Sequence, residues 1–365
     1  MRDMLLGVPP HDWDICTAAL PEQILEIFPD SRLTGGHHGT VTVRLRGHQA
    51  EITPFRAESQ YSDHRHPDQV RFVADLTADL SRRDFTVNAM ALSSDGVVRD
   101  PFGGVADLRQ GVIRCVGDPE LRFEEDALRM LRALRFSAKL GFSIELFTME
   151  AIREKATLCG SLAPERVRDE LEKILLSPAP ETAREAVTLG LLDSFLRGHL
   201  PETAPERLGA LPRRALERWV GFAWLLERYG CADSAAGFLQ ALRLDGHSVR
   251  IAAAVSERMK QPLPEAAAEW KRCISTCGVE ASLCMARCAD AFVARGHTRA
   301  LKAVLSSGEC CSLRQLAVSG NDLLALGLRG QEVGEMLNFL LGYVMEYPEN
   351  NRRELLLSLA GRSEE

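Results

Sequence analysis

EDALRMLRALRFSAK (125–139) divides this sequence in two. Leu128, Leu131 and Leu134 recur at the spacing that lines one face of a helix. From about residue 120 onward that spacing persists, through Glu125 to Lys139, Pro164 to Leu176 and Glu181 to Leu192. Upstream the pattern differs. VTVRL (41–45), AEITPF (50–55) and VRFV (70–73) read as strands, the first two joined by the hairpin-like Arg46-Gly47-His48-Gln49. The sequence therefore predicts an α+β head followed by an all-helical remainder. Pro178-Ala179-Pro180 and the stretch 198–212 read as joints between helical parts.

Charge and composition narrow the function classes. Charged residues are 26% and hydrophobic ones 45% of the 365, an ordinary globular balance. No apolar run reaches the ~18 residues that a membrane span needs, and MRDMLLG shows no secretory pattern. The expected location is the cytoplasm. A net charge of −7 argues against indiscriminate coating of nucleic acid but leaves room for a local basic cleft. The ten cysteines give no disulfide framework. Cys273/Cys277 and Cys284/Cys288, one helical turn apart, read as small apolar residues on packed helices, or as a metal site.

Three clusters carry chemistry. Gly7-Val8-Pro9-Pro10 closes a short helix, and Asp12-Trp13-Asp14-Ile15 follows. In a strand, Asp12 and Asp14 face one side. Two adjacent carboxylates repel unless a cation lies between them, and hard oxygen donors suit Mg2+. Glu51, on a neighbouring strand, is a candidate third ligand. Two solvated turn aspartates would show the same D-x-D. Next, Arg82-Arg83-Asp84-Phe85-Thr86-Val87-Asn88-Ala89-Met90 offers two guanidiniums for phosphate and a carboxylate for a ribose hydroxyl. Thr86 to Met90 reads as the start of a helix whose amino end favours anions. An exposed charge cluster capping that helix is the other reading.

The third cluster lies in the opening stretch. Asp126 and Arg129, three apart on a helix, share a face. As a surface ion pair they are worth only ~0.3–0.5 kcal/mol. As a base reader they have a specific logic. A carboxylate only accepts and a guanidinium only donates. Cytosine and adenine each present an amino donor beside a ring-nitrogen acceptor, and uracil and guanine reverse that pattern. Unpaired polar groups discriminate by several kcal/mol, so such a pair selects C and A without a template.

With these residues in view, the chain resembles the class II CCA-adding enzymes, tRNA nucleotidyltransferases that belong with bacterial poly(A) polymerases to the polymerase-β-like superfamily. The resemblance runs through RDMLLG, DWDI, HGTVTV, EITPFR, YSDHRHPDQV, RRDFTVNAM, DPFGG, RFEEDALRMLRALRF and APERVRDELEKILL, about residues 2–176; the tail from Ser319 to Val344 is also similar. It implies a nucleotidyltransferase head (1–112), a neck with the nucleotide-selecting helix (113–178), a helical body (179–270) and a helical tail that binds tRNA (271–365). Asp12 and Asp14 would hold Mg2+, with Glu51 beside them as a catalytic carboxylate. Arg2, Arg82, Arg83, Asp84, Asn88 and Arg132 would hold the ribose and triphosphate. Asp126 and Arg129 would select CTP and then ATP, with Glu125 shaping the helix start and Glu165 and Arg166 bracing it. The loop Tyr61 to Asp68 would help switch the pocket from C to A. Body and tail would grip the acceptor stem and TΨC arm of tRNA. Arg213, Arg214, Lys271 and Arg272 are candidate tRNA contacts, although solvated surface is the more ordinary role for each. No oligomeric state follows from the sequence.

One departure stands out. The family pattern places a strand and Gly-Gly before x-Arg-Asp, whereas here Met1 directly precedes Arg2-Asp3, so the sequence reads as cut short at its amino terminus. His37-His38, before Gly39, read as loop packing. Two further readings share the motifs: a partial adder (CC or A only) or poly(A) polymerase, and a non-catalytic tRNA-binding protein.

Overall fold

Arg2–Leu5 forms a single helical turn, α1. Gly7 closes it with a left-handed φ of 72°, as its place in the sequence predicts. Val8 N donates to Asp3 O (2.8 Å) and Gly7 N to Met4 O (3.0 Å), the pair of bonds that seals a glycine-capped helix end. The computed structural model describes residues 1–10, 13–35, 39–45, 48–59, 69–201 and 207–361. These fall into two compact units, Met1–His199 and Leu200–Glu365.

The first unit begins with β1 (Asp14–Thr17), α2 (Pro21–Ile27), β2 (Arg32–Gly35), β3 (Thr40–Leu45) and β4 (His48–Pro54). The strands build a four-stranded sheet among the described residues, in the order β1-β4-β3-β2. β1 runs parallel to β4, and β3 is antiparallel to both neighbours. Strand alternation sends Val41 and Val43 into a small core with Ile24 of α2, Phe28 and Ile52. The opposite face of the sheet remains for polar residues. A hairpin, β5 (Arg56–Ser59) with β6 (Gln69–Phe72), and α3 (Leu76–Ser81) follow. The three strands predicted from the sequence are thus β3, β4 and β6. The loop 61–68, Asp12, His37 and His38 lie outside the described residues.

After α3 the chain crosses the arginine turn, the short pair β7 (Ala91–Leu92) and β8 (Val98–Arg99), and α4 (Gly104–Gln110). Thr86 to Met90 does not begin a helix. It makes one 3-10 turn, Thr86–Asn88, because its polar groups are engaged elsewhere. Thr86 N donates to Arg114 O (2.9 Å) and Thr86 Oγ1 to Asp107 (2.6 Å), and Phe85 bridges to Cys115. Gly104 packs on this turn so closely that an added Cβ would overlap the Thr86 carbonyl oxygen and lie 2.9 Å from Met90 Cγ. Gly104→Ala is therefore expected to destabilise the chain by about 2 kcal/mol, read as a lowered melting temperature. An unchanged value would show that the turn can yield.

Helices then take over, apart from the short parallel pair β9 (Val112–Ile113) and β10 (Ser143–Ile144): α5 (Pro119–Glu125), α6 (Leu128–Leu140), α7 (Leu146–Lys155), α8 (Pro164–Leu175) and α9 (Thr182–Thr188). The stretch read as one helix from Glu125 breaks at Asp126, which is extended (φ −148°, ψ 103°). Leu128, Leu131 and Leu134 are buried on α6 as the spacing requires.

The second unit contains α10 (Ala215–Arg228), α11 (Ala235–Ala241), α12 (Gly246–Met259), α13 (Ala267–Phe292), α14 (His297–Ser307), α15 (Gly320–Ala325), α16 (Gln331–Glu346) and α17 (Arg353–Gly361). α13 is interrupted at Gly278 (φ 82°, ψ 166°). Cys273, Cys284 and Cys288 are buried on it. Lys271, a surface candidate from its sequence, is instead 2% exposed. Its amine donates to Met345 O (3.0 Å) and pairs with Glu309 (2.5 Å). At that burial these two oxygens take the place of water. Arg214 pairs with Glu217 and Arg272 with Glu346. Among the described residues no helix is long and apolar enough to cross a membrane.

Candidate nucleotide-transfer site

The solvent-side face of the sheet carries a row of polar residues. Asp14 stands in register with Glu51, Glu51 with Thr42, and Thr42 with Arg32. Registered neighbours on adjacent strands share a face. Asp14 and Glu51 therefore stand side by side, and both are exposed. Two hard carboxylates, open on one side, form a donor set that fits a divalent cation. Asp12 lies outside the described residues.

The arginine turn is held from two sides. Asp79, almost fully buried, accepts from Arg82 Nε (3.1 Å) and Nη2 (2.8 Å), and Arg83 Nη2 lies 3.7 Å away. The Arg82 carbonyl accepts from Arg129 Nη2 at 3.0 Å. Asp84 points inward. Its Oδ1 accepts from Phe85 N (2.8 Å) and Asn88 Nδ2 (3.0 Å); its Oδ2 accepts from Arg132 Nε (2.9 Å) and Nη2 (2.5 Å). A carboxylate has about four acceptor positions, so a ribose hydroxyl would have to take the place of one of these donors. Arg2 Nη1 donates to Asn88 Oδ1 (2.8 Å). Arg2, Asn88, Asp84 and Arg132 thus form one continuous chain.

Burial alone would raise the Asp84 carboxyl, but the Arg132 guanidinium and the hydrogen bonds from Asn88, Arg132 and Phe85 outweigh it and hold it below its ordinary 3.8. A carboxylate whose folded pKa is depressed stabilises the fold above its unfolded pKa and loses that contribution as pH falls through the folded one. Asp84→Asn is accordingly expected to cost about 3 kcal/mol near neutral pH, because Arg132 loses its buried partner. That deficit should begin to shrink as pH falls below about 4, the unfolded value, and go on shrinking through the depressed folded pKa, where folded wild type protonates Asp84 as well. Melting curves of both proteins from pH 7 to pH 3 check this, and a deficit independent of pH would refute it.

Asp126 and Arg129 do not share a helical face, since the chain breaks between α5 and α6. Asp126 accepts from Leu128 N (3.1 Å) and from Arg166 Nη2 (3.2 and 3.0 Å). Arg129, 8% exposed, donates to Glu125 Oε2 (2.6 Å) and to the carbonyls of Arg122 (3.1 Å) and Arg82. The carboxylate and the guanidinium are each fixed by their own partners. Glu125 and Arg166, placed by the sequence around this helix start, supply two of them.

The structure therefore groups Asp14 with Glu51, and Arg2 with Asn88, Asp84 and Arg132, while Arg82 and Arg83 lean on Asp79. Asp79, Glu170 and Phe136 escaped the sequence reading. Asp79 and Glu170 are buried acids that carry no motif of their own. Phe136 carries a signal, because it falls one turn after Arg132.

Residues 1–114 match the Poly A polymerase head domain family, and residues 141–206 match the probable RNA and SrmB-binding site of polymerase A. The chain is 36% identical over 368 residues to a CCA-adding enzyme of Geobacillus sp. (strain WCH70), spanning 97% of this chain and 89% of that one. It is 34% identical over 371 residues to a CCA-adding enzyme of Enterococcus faecalis, spanning 99% and 89%. The fold superimposes on the Bacillus stearothermophilus CCA-adding enzyme, solved in complex with CTP, with a TM-score of 0.78 at 32% identity, over 100% of this chain and 91% of that one. A head of mixed sheet, a helical remainder, and relatives of this similarity over nearly their whole length make the chain a member of the CCA-adding enzyme family.

Proposed function

We propose that this chain adds C, C and A to the 3′ end of tRNA from CTP and ATP, without a nucleic-acid template. The observation that carries this is the placement of an acceptor-only and a donor-only side chain, Asp126 and Arg129, each held by its own partners at one helix junction beside the arginine turn, in a member of this family. The chemistry is transfer of a nucleotidyl group. The tRNA 3′-oxygen attacks the α-phosphorus in line, the bond to the β-phosphate oxygen breaks, and pyrophosphate leaves. Asp14, with Asp12 and Glu51, would hold divalent cations, Mg2+ by the hardness of the donors, which when bound lower the pKa of the attacking hydroxyl and neutralise charge on pyrophosphate. Arg82, Arg83, Arg2, Asn88 and Arg132 bind the triphosphate and ribose, and Asp84 orients the last two. Asp126 accepts from the base amino group and Arg129 donates to the ring nitrogen.

In this reading residues 1–112 are the catalytic head, 113–178 the neck, 179–270 the body and 271–365 the tail. Body and tail hold the acceptor stem and TΨC arm, and the protein works in the cytoplasm. The test is incubation with Mg2+ and a tRNA lacking CCA, offering the four NTPs singly and together. Stepwise addition of C, C and A, with U and G refused, is expected. Bound tRNA with no incorporation would overturn the reading.

A further inference from the structure

Phe136 gathers three guanidinium groups around one ring. It lies on α6 one turn beyond Arg132 and directly after Arg135, while Arg2 reaches it from α1. The Cζ atoms stand 5.0 Å (Arg2), 5.6 Å (Arg132) and 4.1 Å (Arg135) from the ring centroid. The ring is buried and meets Phe85 of the arginine turn edge to face, with centroids 5.7 Å apart at 78°. Phe136 thus joins the turn, α1 and α6 through a single side chain.

Each cation has a carboxylate, but the cluster is not saturated. Arg2 pairs with Asp3 (2.7 Å), Arg132 with Asp84, and Arg135 Nε lies 2.7 Å from Glu170. A guanidinium has five N–H donors, and Arg132 spends two of them on Asp84. It is also the most open of the three, its side chain 33% exposed against 14% for Arg2 and 15% for Arg135. Burial lowers the Arg135 pKa, Glu170 opposes that, and the charges of Arg132 and Arg2 push it down further. The positive charges of Arg132 and Arg2 thus bear on Arg135 across the Phe136 ring.

We propose that Phe136 is a positioning residue for nucleotide binding: its ring fixes the planes of the Arg2 and Arg132 guanidiniums so that their remaining donors meet the triphosphate. The proposal rests on the nucleotidyltransferase reading above. A flat ring holds a guanidinium by its negative face, and an aliphatic side chain fills the space without doing so. Arginine side chains otherwise sample many rotamers, and orienting them in advance removes that cost from binding.

The experiment uses full-length wild type, Phe136→Leu and Phe136→Tyr. It measures binding of inorganic tripolyphosphate by calorimetry at low salt, the melting temperature, and nucleotide incorporation on tRNA lacking CCA. Phe136→Leu is expected to weaken tripolyphosphate binding about tenfold and to raise KM for CTP and ATP alike with kcat within about twofold. Phe136→Tyr, which keeps the ring, should bind within about twofold of wild type. Equal binding by wild type and Phe136→Leu would overturn the proposal. Equal weakening in both variants would also overturn it, because that pattern reports packing alone. If wild type binds tripolyphosphate and Phe136→Leu does not, yet wild type adds no nucleotide, the CCA-adding reading falls and the role of Phe136 stands.

Discussion

Asp14→Asn is expected to reduce CMP and AMP incorporation by about 10³-fold or more, the scale on which one preorganised charged group aimed at developing charge acts. Melting should be unaffected within about 0.5 kcal/mol, as befits an exposed residue. The argument rests on register. Asp14 stands beside Glu51 across the parallel β1·β4 pair, so one carboxylate cannot substitute for the other without moving. Asparagine keeps one oxygen donor but loses the charge, so the Mg2+ requirement of the residual activity should rise. Glu51→Gln should show the same shift. Incorporation by Asp14→Asn within tenfold of wild type would remove Asp14 from the chemistry.

Asp126→Ala is expected to lower addition of both C and A by about 10²-fold and to narrow their margin over U and G. A site built to hydrogen-bond a polar group rejects analogues that leave it unpaired, and without the carboxylate only Arg129 still discriminates. Arg129 stays in place, because Glu125 and the carbonyls of Arg122 and Arg82 hold it. Arg166 loses its partner, a change near the surface that costs about 1 kcal/mol. Competition assays with labelled NTP pairs measure the margin. A uniform drop for all four nucleotides with the margin intact would place Asp126 in structure rather than in selection.

The strand-to-helix change was legible because burial imposes a period on each element. Val41 and Val43 alternate into the head core, and Leu128, Leu131 and Leu134 follow the helical repeat. The closing role of Gly7 was legible too, since few residues other than glycine adopt a φ of 72° there at low cost. The break at Asp126 was missed because the apolar spacing continues on either side of it. An aspartate that accepts from Leu128 N competes with its own helix, and this tendency is visible in sequence only as a residue preference. The Thr86 turn was misjudged for a related reason. Its backbone and hydroxyl serve Arg114 and Asp107, distant partners that no local window contains. Glu51 was legible as a carboxylate on a neighbouring strand, whereas its register directly opposite Asp14 is a property of the β1·β4 pair.

The buried amine of Lys271 has a consequence for how the carboxy-terminal helices find their alignment. Its two oxygen partners come from Glu309, just after α14, and from Met345, near the end of α16. Sliding α16 by one turn would preserve much apolar contact, because leucines recur along it, yet would carry the Met345 carbonyl away and leave the enclosed ammonium with Glu309 alone. A buried donor that loses an acceptor and finds no water in its place costs about 1–3 kcal/mol. Lys271 therefore works as a locating pin: a tail made largely of interchangeable aliphatic side chains closes in the one register that gives a single proton-bearing nitrogen both of its oxygens.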